Sequence, residues 1–294
     1  TPAALSLINV TFTIPKERAR AFGVYGAISG GGAAIGLILG GALTEFASWR
    51  WCLWVNVPIA IIAVLFAFPF VHESKAGGEH SYDLPGTLTA TLGLLSLVYG
   101  FTKAAQDGWA TTSTLNFFGI AGILLVAFFL IQKNVKNPLL PLRIITERNR
   151  GGSYLGSMMV GAGLFSMFLF LGLYLQVILG YSPLKTGFAF LPFSIGIILF
   201  AGVASQLLPK VGPKPLIIWG LIQSTFGLFL LSFITPETSY ATHVLPSLII
   251  MSTGMALVFI PISTTALHGI GGRDSGVASA ALNTSQQVGG SLGT

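Results

Sequence analysis

Charge is what this sequence has least of. Lys, Arg, Asp and Glu make up 8% of its 294 residues, against about 25% in a soluble globular chain, so an ordinary water-facing surface cannot be built from it. A single cysteine, Cys52, excludes an internal disulfide framework and a cysteine-based metal site. The four histidines, His72, His80, His243 and His268, lie near the ends of apolar runs without metal-ligand spacing and read as interfacial. The glycines around Gly30 lack the Lys-Ser/Thr of a phosphate-binding loop and follow no strand, so ATP-driven work is not expected. Ser182-Pro183-Leu184-Lys185 fits the S-x-x-K pattern of serine acyl enzymes but has none of its companion motifs, and is read as a turn. No cofactor or metal is implied, and the chain is not expected to be an enzyme: an intramembrane one would need His, Asp or Glu clustered inside the apolar runs. The net charge of +6 comes without a basic-aromatic patch, so no nucleic-acid partner is expected.

What the sequence does have is apolar length. Hydrophobic residues are 53% of the chain, gathered in runs long enough to cross the ~30 Å hydrocarbon layer as helices. Eight complete spans are expected at roughly 21–45, 52–71, 84–104, 114–132, 153–180, 186–207, 215–234 and 244–267, with a partial span at 1–14 and another starting near Gly276. The fold class is therefore all-α, a polytopic membrane protein. The chain opens at Thr1-Pro2 within one apolar stretch and stops at Thr294 within another, and it reads as a piece of a longer protein.

Basic residues set the orientation. Alternate connections hold Lys16, Arg18, Arg20, Lys75, Lys133, Lys136, Arg143, Arg148, Arg150, Lys210, Lys214 and Arg273, twelve of the fifteen, while the intervening ones hold only Arg50, Lys103 and Lys185. The positive-inside rule places residues 15–20, 72–83, 133–152, 208–214 and 268–275 in the cytoplasm. The two most polar of these stretches bracket the spans at 84–104 and 114–132. Three parts are accordingly expected: 1–71, an inserted pair with its loops at 72–152, and 153–294.

The second apolar segment carries eight glycines: Gly23, Gly26, Gly30, Gly31, Gly32, Gly36, Gly40 and Gly41. Each interior glycine costs about 1 kcal/mol of helix propensity relative to alanine in water. Something that a side chain would block must offset that cost. Gly32, Gly36 and Gly40 share one face, and Gly26, Gly30 and Ala34 form a second stripe; such faces let helix backbones approach closely.

The series Gly23, Gly32, Gly36, Gly40-Gly41 resembles the antiporter motif of the major facilitator superfamily, and Ser48-Trp49-Arg50-Trp51 with Asn56-Val57-Pro58 resembles its fourteen-helix drug/proton exporter branch. One departure is Leu37, where the family motif has proline. Tyr174-Leu175-Gln176 with Gly180-Tyr181-Ser182-Pro183, the loop from Ser205 to Lys214, and Asn283 to Gly290 resemble successive parts of the carboxy-terminal half. The resemblance would run from the end of helix 4 to the middle of helix 13, with 84–132 as the extra central pair. It implies major facilitator architecture and proton-coupled export of small amphipathic compounds by alternating access, from the plasma (cell inner) membrane. Lipid, protons and a small-molecule substrate would be the partners. The glycines Gly23, Gly32, Gly36, Gly40 and Gly41 would pack helices, and Tyr174, Gln176, Asn283, Gln286 and Gln287 are candidate cavity lining. A non-transporting sensor or scaffold on the same fold, or a transporter of another small solute, is the alternative.

All nine acidic residues map to loops or span ends. A carboxylate for proton coupling is therefore expected outside the complete spans of this chain.

The topology is testable by thiol labelling. In a Cys52→Ser background, cysteines replacing Lys103 or Lys185 should react with an impermeant maleimide on intact cells. Those replacing Arg148 or Lys214 should react only after permeabilisation, and the reverse pattern would invert the orientation.

Overall fold

A computed structural model of the chain describes residues 5, 7, 8, 11, 12, 14–70 and 83–294. Most of the expected leading partial span, and the loop 72–82 with Lys75, His72 and His80, lie outside the described residues. The described elements are helical: α1 Pro15–Phe46, α2 Trp51–Trp54, α3 Asn56–Phe70, α4 Leu84–Asp107, α5 Thr112–Asn134, α6 Leu142–Thr146, α7 Arg148–Leu173, α8 Pro183–Val211, α9 Pro213–Leu231, α10 Leu245–Ala266 and α11 Gly272–Gly293. A π-helical turn extends α7 over Tyr174–Ile178, and another opens α10 at Tyr240–Val244. Eight stretches are long and apolar enough to cross a membrane, the first Lys16–Phe46 and the last Tyr240–Ala266. They match the eight spans expected from hydropathy.

The helices outrun the apolar windows at several ends. Helix α1 starts at Pro15 rather than near 21, and α8 runs on to Val211 rather than 207. Hydropathy marks where lipid begins, whereas the backbone keeps its hydrogen bonds into the interface. The expected loop at 208–214 shrinks to Gly212, whose φ of 84° and ψ of 167° lie in a region open essentially to glycine alone; Pro213 then starts α9. The expected span 52–71 is interrupted at Val55. Pro58 has no N–H for the Trp54 carbonyl four residues earlier, and beside the interruption the Asn56 side-chain amide donates to the carbonyls of Cys52 at 2.9 Å and Leu53 at 3.3 Å.

The described chain divides into two compact units. The first comprises Thr1–Val10, Gly78–Ser166 and Thr265–Thr294, and so holds α4, α5, α6, most of α7 and α11. Its hairpin α4–α5 closes by a sevenfold rule. Buried Gly86, Gly93 and Gly100 of α4 receive Gln132, Leu125 and Phe118 of α5, so that a Cβ at Gly93 would stand 3.0 Å from Leu125 and one at Gly100 would stand 3.0 Å from Phe118. Both series step by seven residues, the repeat that keeps two helices in register. The same unit crosses α11 over α7 by backbone contact: side chains at Gly161, Gly289 and Gly293 would collide with the backbones of Gln286, Met158 and Ala162. Arg143 of α6 reaches Asp274 in the first turn of α11 at 2.6 Å.

The second unit comprises Thr11–Gly77 and Met167–Thr264. Here α9 and α10 meet through Gly220, Ser224 and Gly227 against Gly254 and Met251, and Gly196 of α8 lies on Ser252 of α10. Helix α1 packs along α8.

A buried carboxylate closes the inner end of the hairpin. Asp83, 8% exposed, caps α4 by accepting from the Gly86 N–H at 2.8 Å. It also accepts from the Gln132 amide at 2.5 Å and the Leu139 N–H at 3.3 Å, while Gln132 accepts from the Leu140 N–H at 2.8 Å. One group thereby fixes the start of α4, the end of α5 and the segment leading to α6. Burial pushes the Asp83 carboxyl up, but the bonds from Gln132, Gly86 and Leu139 outweigh it and hold its pKa below the ordinary 3.8.

A folded-state pKa below the unfolded value contributes stability that is present above the unfolded value and lost as pH falls through the folded one. Asp83→Ala leaves buried donors unpaired, which costs about 1–3 kcal/mol. Thermal unfolding in detergent should therefore show a lowered Tm at pH 7. The difference from the unsubstituted protein should shrink as pH drops below about 4; a gap constant across that range would remove Asp83 from the pH response.

Candidate functional site

The glycine-rich helix makes its close approach in the second unit, along α8. A Cβ at Gly23 would stand 3.0 Å from Ser205, and one at Gly30 would stand 3.1 Å from Ile198. Further out, a Cβ at Gly41 would come to 2.7 Å of the Pro183 carbonyl oxygen and 2.8 Å of the Leu184 Cα. Glycine is reciprocated across the seam: a Cβ at Gly187 of α8 would meet the Leu37 carbonyl oxygen at 2.5 Å. Positions 23, 26, 30, 37 and 41 recur at intervals of three, four and seven, so they form one helical face. That face coincides with the second stripe of the sequence, through Gly26 and Gly30. At Gly32, Gly36 and Gly40 a Cβ would meet nothing within 4 Å. Of the five motif glycines, Gly23 and Gly41 are therefore in the seam, and the other three face away from it. Helix α1 runs unbroken through Leu37.

The end of the seam beyond Gly41 is polar. The carboxylate of Glu45, in the last turn of α1, accepts from the Leu184 N–H in the first turn of α8 at 3.0 Å. Ser182 caps the same helix by accepting from the Lys185 N–H at 3.3 Å, so the S-x-x-K sequence is a helix start. The Lys185 ammonium sits 3.7 Å from the ring centroid of Tyr181.

Two tyrosines brace the outer hairpins at the π-helical turns. Tyr174, 7% exposed, donates its hydroxyl to the Thr235 carbonyl at 2.8 Å. Tyr240 donates to the Ala189 carbonyl of α8 at 2.7 Å. Sequence reading singled out Tyr174 but not Tyr240 or Glu45; an acidic residue at the wrong end of its own helix dipole was the available signal for Glu45.

The remaining candidates divide between the units. Gln176 is exposed on the turn beyond Tyr174 in the second unit. Asn283, Gln286 and Gln287 lie on α11 in the first, with Gln287 exposed and the other two half-buried. Helix α11 buries Ser275, Ala278, Ser279, Leu282, Gly289 and Gly290, and its exposed positions are Gly276, Thr284, Gln287 and Leu292. Among the described residues every carboxylate stands at a helix end or in a connection: Glu17, Glu45, Asp83, Asp107, Glu147, Glu237 and Asp274.

The chain thus has eight helices long and apolar enough to cross a membrane, closed against one another by small residues. The whole chain, residues 1–294, matches the Major Facilitator Superfamily. The chain belongs to that family. It is 44% identical over 99% of its length to the puromycin resistance protein pur8 of Streptomyces alboniger, of which it covers 58%. It is 32% identical to the MFS-type transporter EfpA of Mycobacterium tuberculosis, covering 55% of that protein. It is also 32% identical to the cephamycin export protein CmcT of Amycolatopsis lactamdurans, covering 61%. The chain thus spans a little over half the length of these relatives, and it is an integral membrane protein.

The seam predicts a contrast between glycines. Gly41→Val and Gly187→Val push side chains into backbone, an overpacking worth about 1–3 kcal/mol, whereas Gly36→Val meets open space. Thermal unfolding of the purified protein should show a lowered Tm for the first two and little change for the third. Equal loss in all three would show that a second surface closes on Gly36.

Proposed function

We propose that the protein exports small amphipathic compounds, toxic drugs among them, in exchange for protons across the plasma membrane. The observation that carries this reading is the 44% identity, over 99% of the chain, to a protein named for puromycin resistance. In this reading residues 1–71 belong to an amino-terminal bundle, 153–294 to a carboxy-terminal bundle, and 72–152 form the inserted pair. The α1–α8 seam then joins the two bundles, and alternating access requires it to part at one end while staying shut at the other. Glycine on both sides at Gly41 and Gly187 supports this, because a contact between backbones there can separate and reform without interlocked side chains having to withdraw.

The small and polar side of α11 supports a water-facing or substrate-facing role for Gln287, with Asn283 and Gln286 beside it. Gln176 would line the outer mouth, and Tyr174 would hold the hairpin that shapes it. Residues 15–20, 72–83, 133–152, 208–214 and 268–275 would face the cytoplasm, following the basic residues. Proton coupling would draw its carboxylate from beyond the spans described here.

The test uses the complete reading frame. Cells expressing it should tolerate several-fold more puromycin than vector controls. Inverted vesicles should accumulate puromycin when energised, and lose it when a protonophore collapses the gradient. Accumulation that survives the protonophore would refute proton exchange but keep transport. Unchanged tolerance and no accumulation at normal expression would favour another solute, or a sensor or scaffold without transport.

A further inference from the structure

We infer that Glu45 is the outer latch of the α1–α8 seam, an acceptor delivered by one helix to complete the start of the other. The inference rests on the alternating-access reading above and adds a residue that sets how the outer side opens.

The argument begins with the N–H groups at the start of α8. The first turn of a helix leaves its N–H groups without partners inside the helix, and groups so exposed must find one. Pro183 has no N–H to satisfy. The Lys185 N–H goes to the Ser182 hydroxyl at 3.3 Å and the Thr186 N–H to the Ser182 carbonyl at 2.9 Å. Only Leu184 looks elsewhere, to Glu45 at 3.0 Å, 139 residues away on α1. Three of the four positions are therefore settled locally, and the fourth is completed across the seam.

Glu45 gains little from its own helix. It stands in the last turn of α1, which ends at Phe46, where the helix dipole disfavours an anion. The start of α8 offers the opposite end of a dipole, and N–H groups pointing outward are suited to an anion there. The same contact lies one turn beyond Gly41, whose missing side chain lets Pro183 and Leu184 come close enough for the bond to form. Glycine sets the distance, and the carboxylate makes use of it.

The bond is exposed to water, and that makes it suitable for a latch. When the outer ends of α1 and α8 part, water can replace both partners, so opening leaves no buried group unsatisfied. A charge-assisted bond of this kind biases the equilibrium without locking it.

Distances between spin labels test the proposal in the complete protein reconstituted in liposomes. Labels at Phe46→Cys and Phe188→Cys, both exposed positions on the two helices, report the outer end in a Cys52→Ser background. Labels at Val24→Cys and Val203→Cys, also exposed, report the inner end. In the protein with Glu45, puromycin should redistribute the outer distances between a short and a long population. Glu45→Ala should raise the long outer population about two- to tenfold, with no widening of the inner pair. Glu45→Gln, which keeps an acceptor but not the charge, should fall between. If Glu45→Ala leaves the outer distribution unchanged while puromycin still shifts it, Glu45 merely caps α8 and the latch is overturned. If puromycin shifts neither pair even with Glu45 present, the alternating-access reading falls and the latch falls with it.

Discussion

Hydrocarbon gives a backbone amide no partner, so each spanning segment must close its own hydrogen bonds, and the consequences concentrate where a helix cannot do so. Those places are few and each has its own solution. The Asn56 side-chain amide bonds the Cys52 and Leu53 carbonyls where the helix is interrupted at Val55. Asp83 caps α4 and at the same time gathers Gln132 and Leu139. Ser182 and Glu45 between them settle the start of α8. The carboxylates of the described residues thus sit at helix ends and connections, and the spans between them hold small hydroxyls such as Ser224 and Ser252 among apolar packing.

Packing in lipid lacks the hydrophobic drive that assembles a soluble core, because lipid tails are as apolar as leucine. Contact has to come from close approach, and small residues supply it in two ways. In the α4–α5 hairpin, glycine on one helix receives large side chains from the other in a seven-residue register. Where α11 crosses α7, and at the Gly41 and Gly187 end of the α1–α8 contact, glycine admits backbone itself, whereas Gly23 and Gly30 receive the side chains of Ser205 and Ile198. The first way interlocks the partners and suits a rigid hairpin. The second leaves smoother surfaces, which is the property a separable seam would need.

The spans and the class of fold were legible because hydropathy reports burial in lipid directly. Their ends were less so: the charged turn at Lys16 to Arg20 is still helix, a fact that transfer energies do not register. The glycine helix was also visible, but its sequence holds two small stripes of equal clarity. Periodicity defines a face without naming what covers it, and the contact with α8 runs along Gly23, Gly30 and Gly41 rather than Gly32, Gly36 and Gly40. The register of Gly86, Gly93 and Gly100 with Phe118, Leu125 and Gln132 was present in the sequence as two spacings of seven. It becomes meaningful only when the two helices are laid antiparallel. The Glu45 contact spans 139 residues; an acid at the wrong end of its helix dipole marks the residue, but nothing local names its partner.

Exposure patterns separate side chains that meet lipid from one that must meet something else. The exposed large side chains in the middle of α5 are Leu115, Ile120, Ile123, Val126, Phe129 and Leu130, and lipid satisfies them at no cost. The exposed positions of α11 are Gly276, Thr284, Gln287 and Leu292. A threonine hydroxyl can bond back to its own helix, but a glutamine amide has more donors and acceptors than one helix can satisfy. Moving such an amide unpaired into hydrocarbon costs several kcal/mol, more than the contacts of one small-residue face return. Gln287 therefore calls for a hydrogen-bonding neighbour, which lipid does not supply. The same face carries no ionisable group within its span, so it can offer hydrogen bonds to a solute but cannot take up a proton.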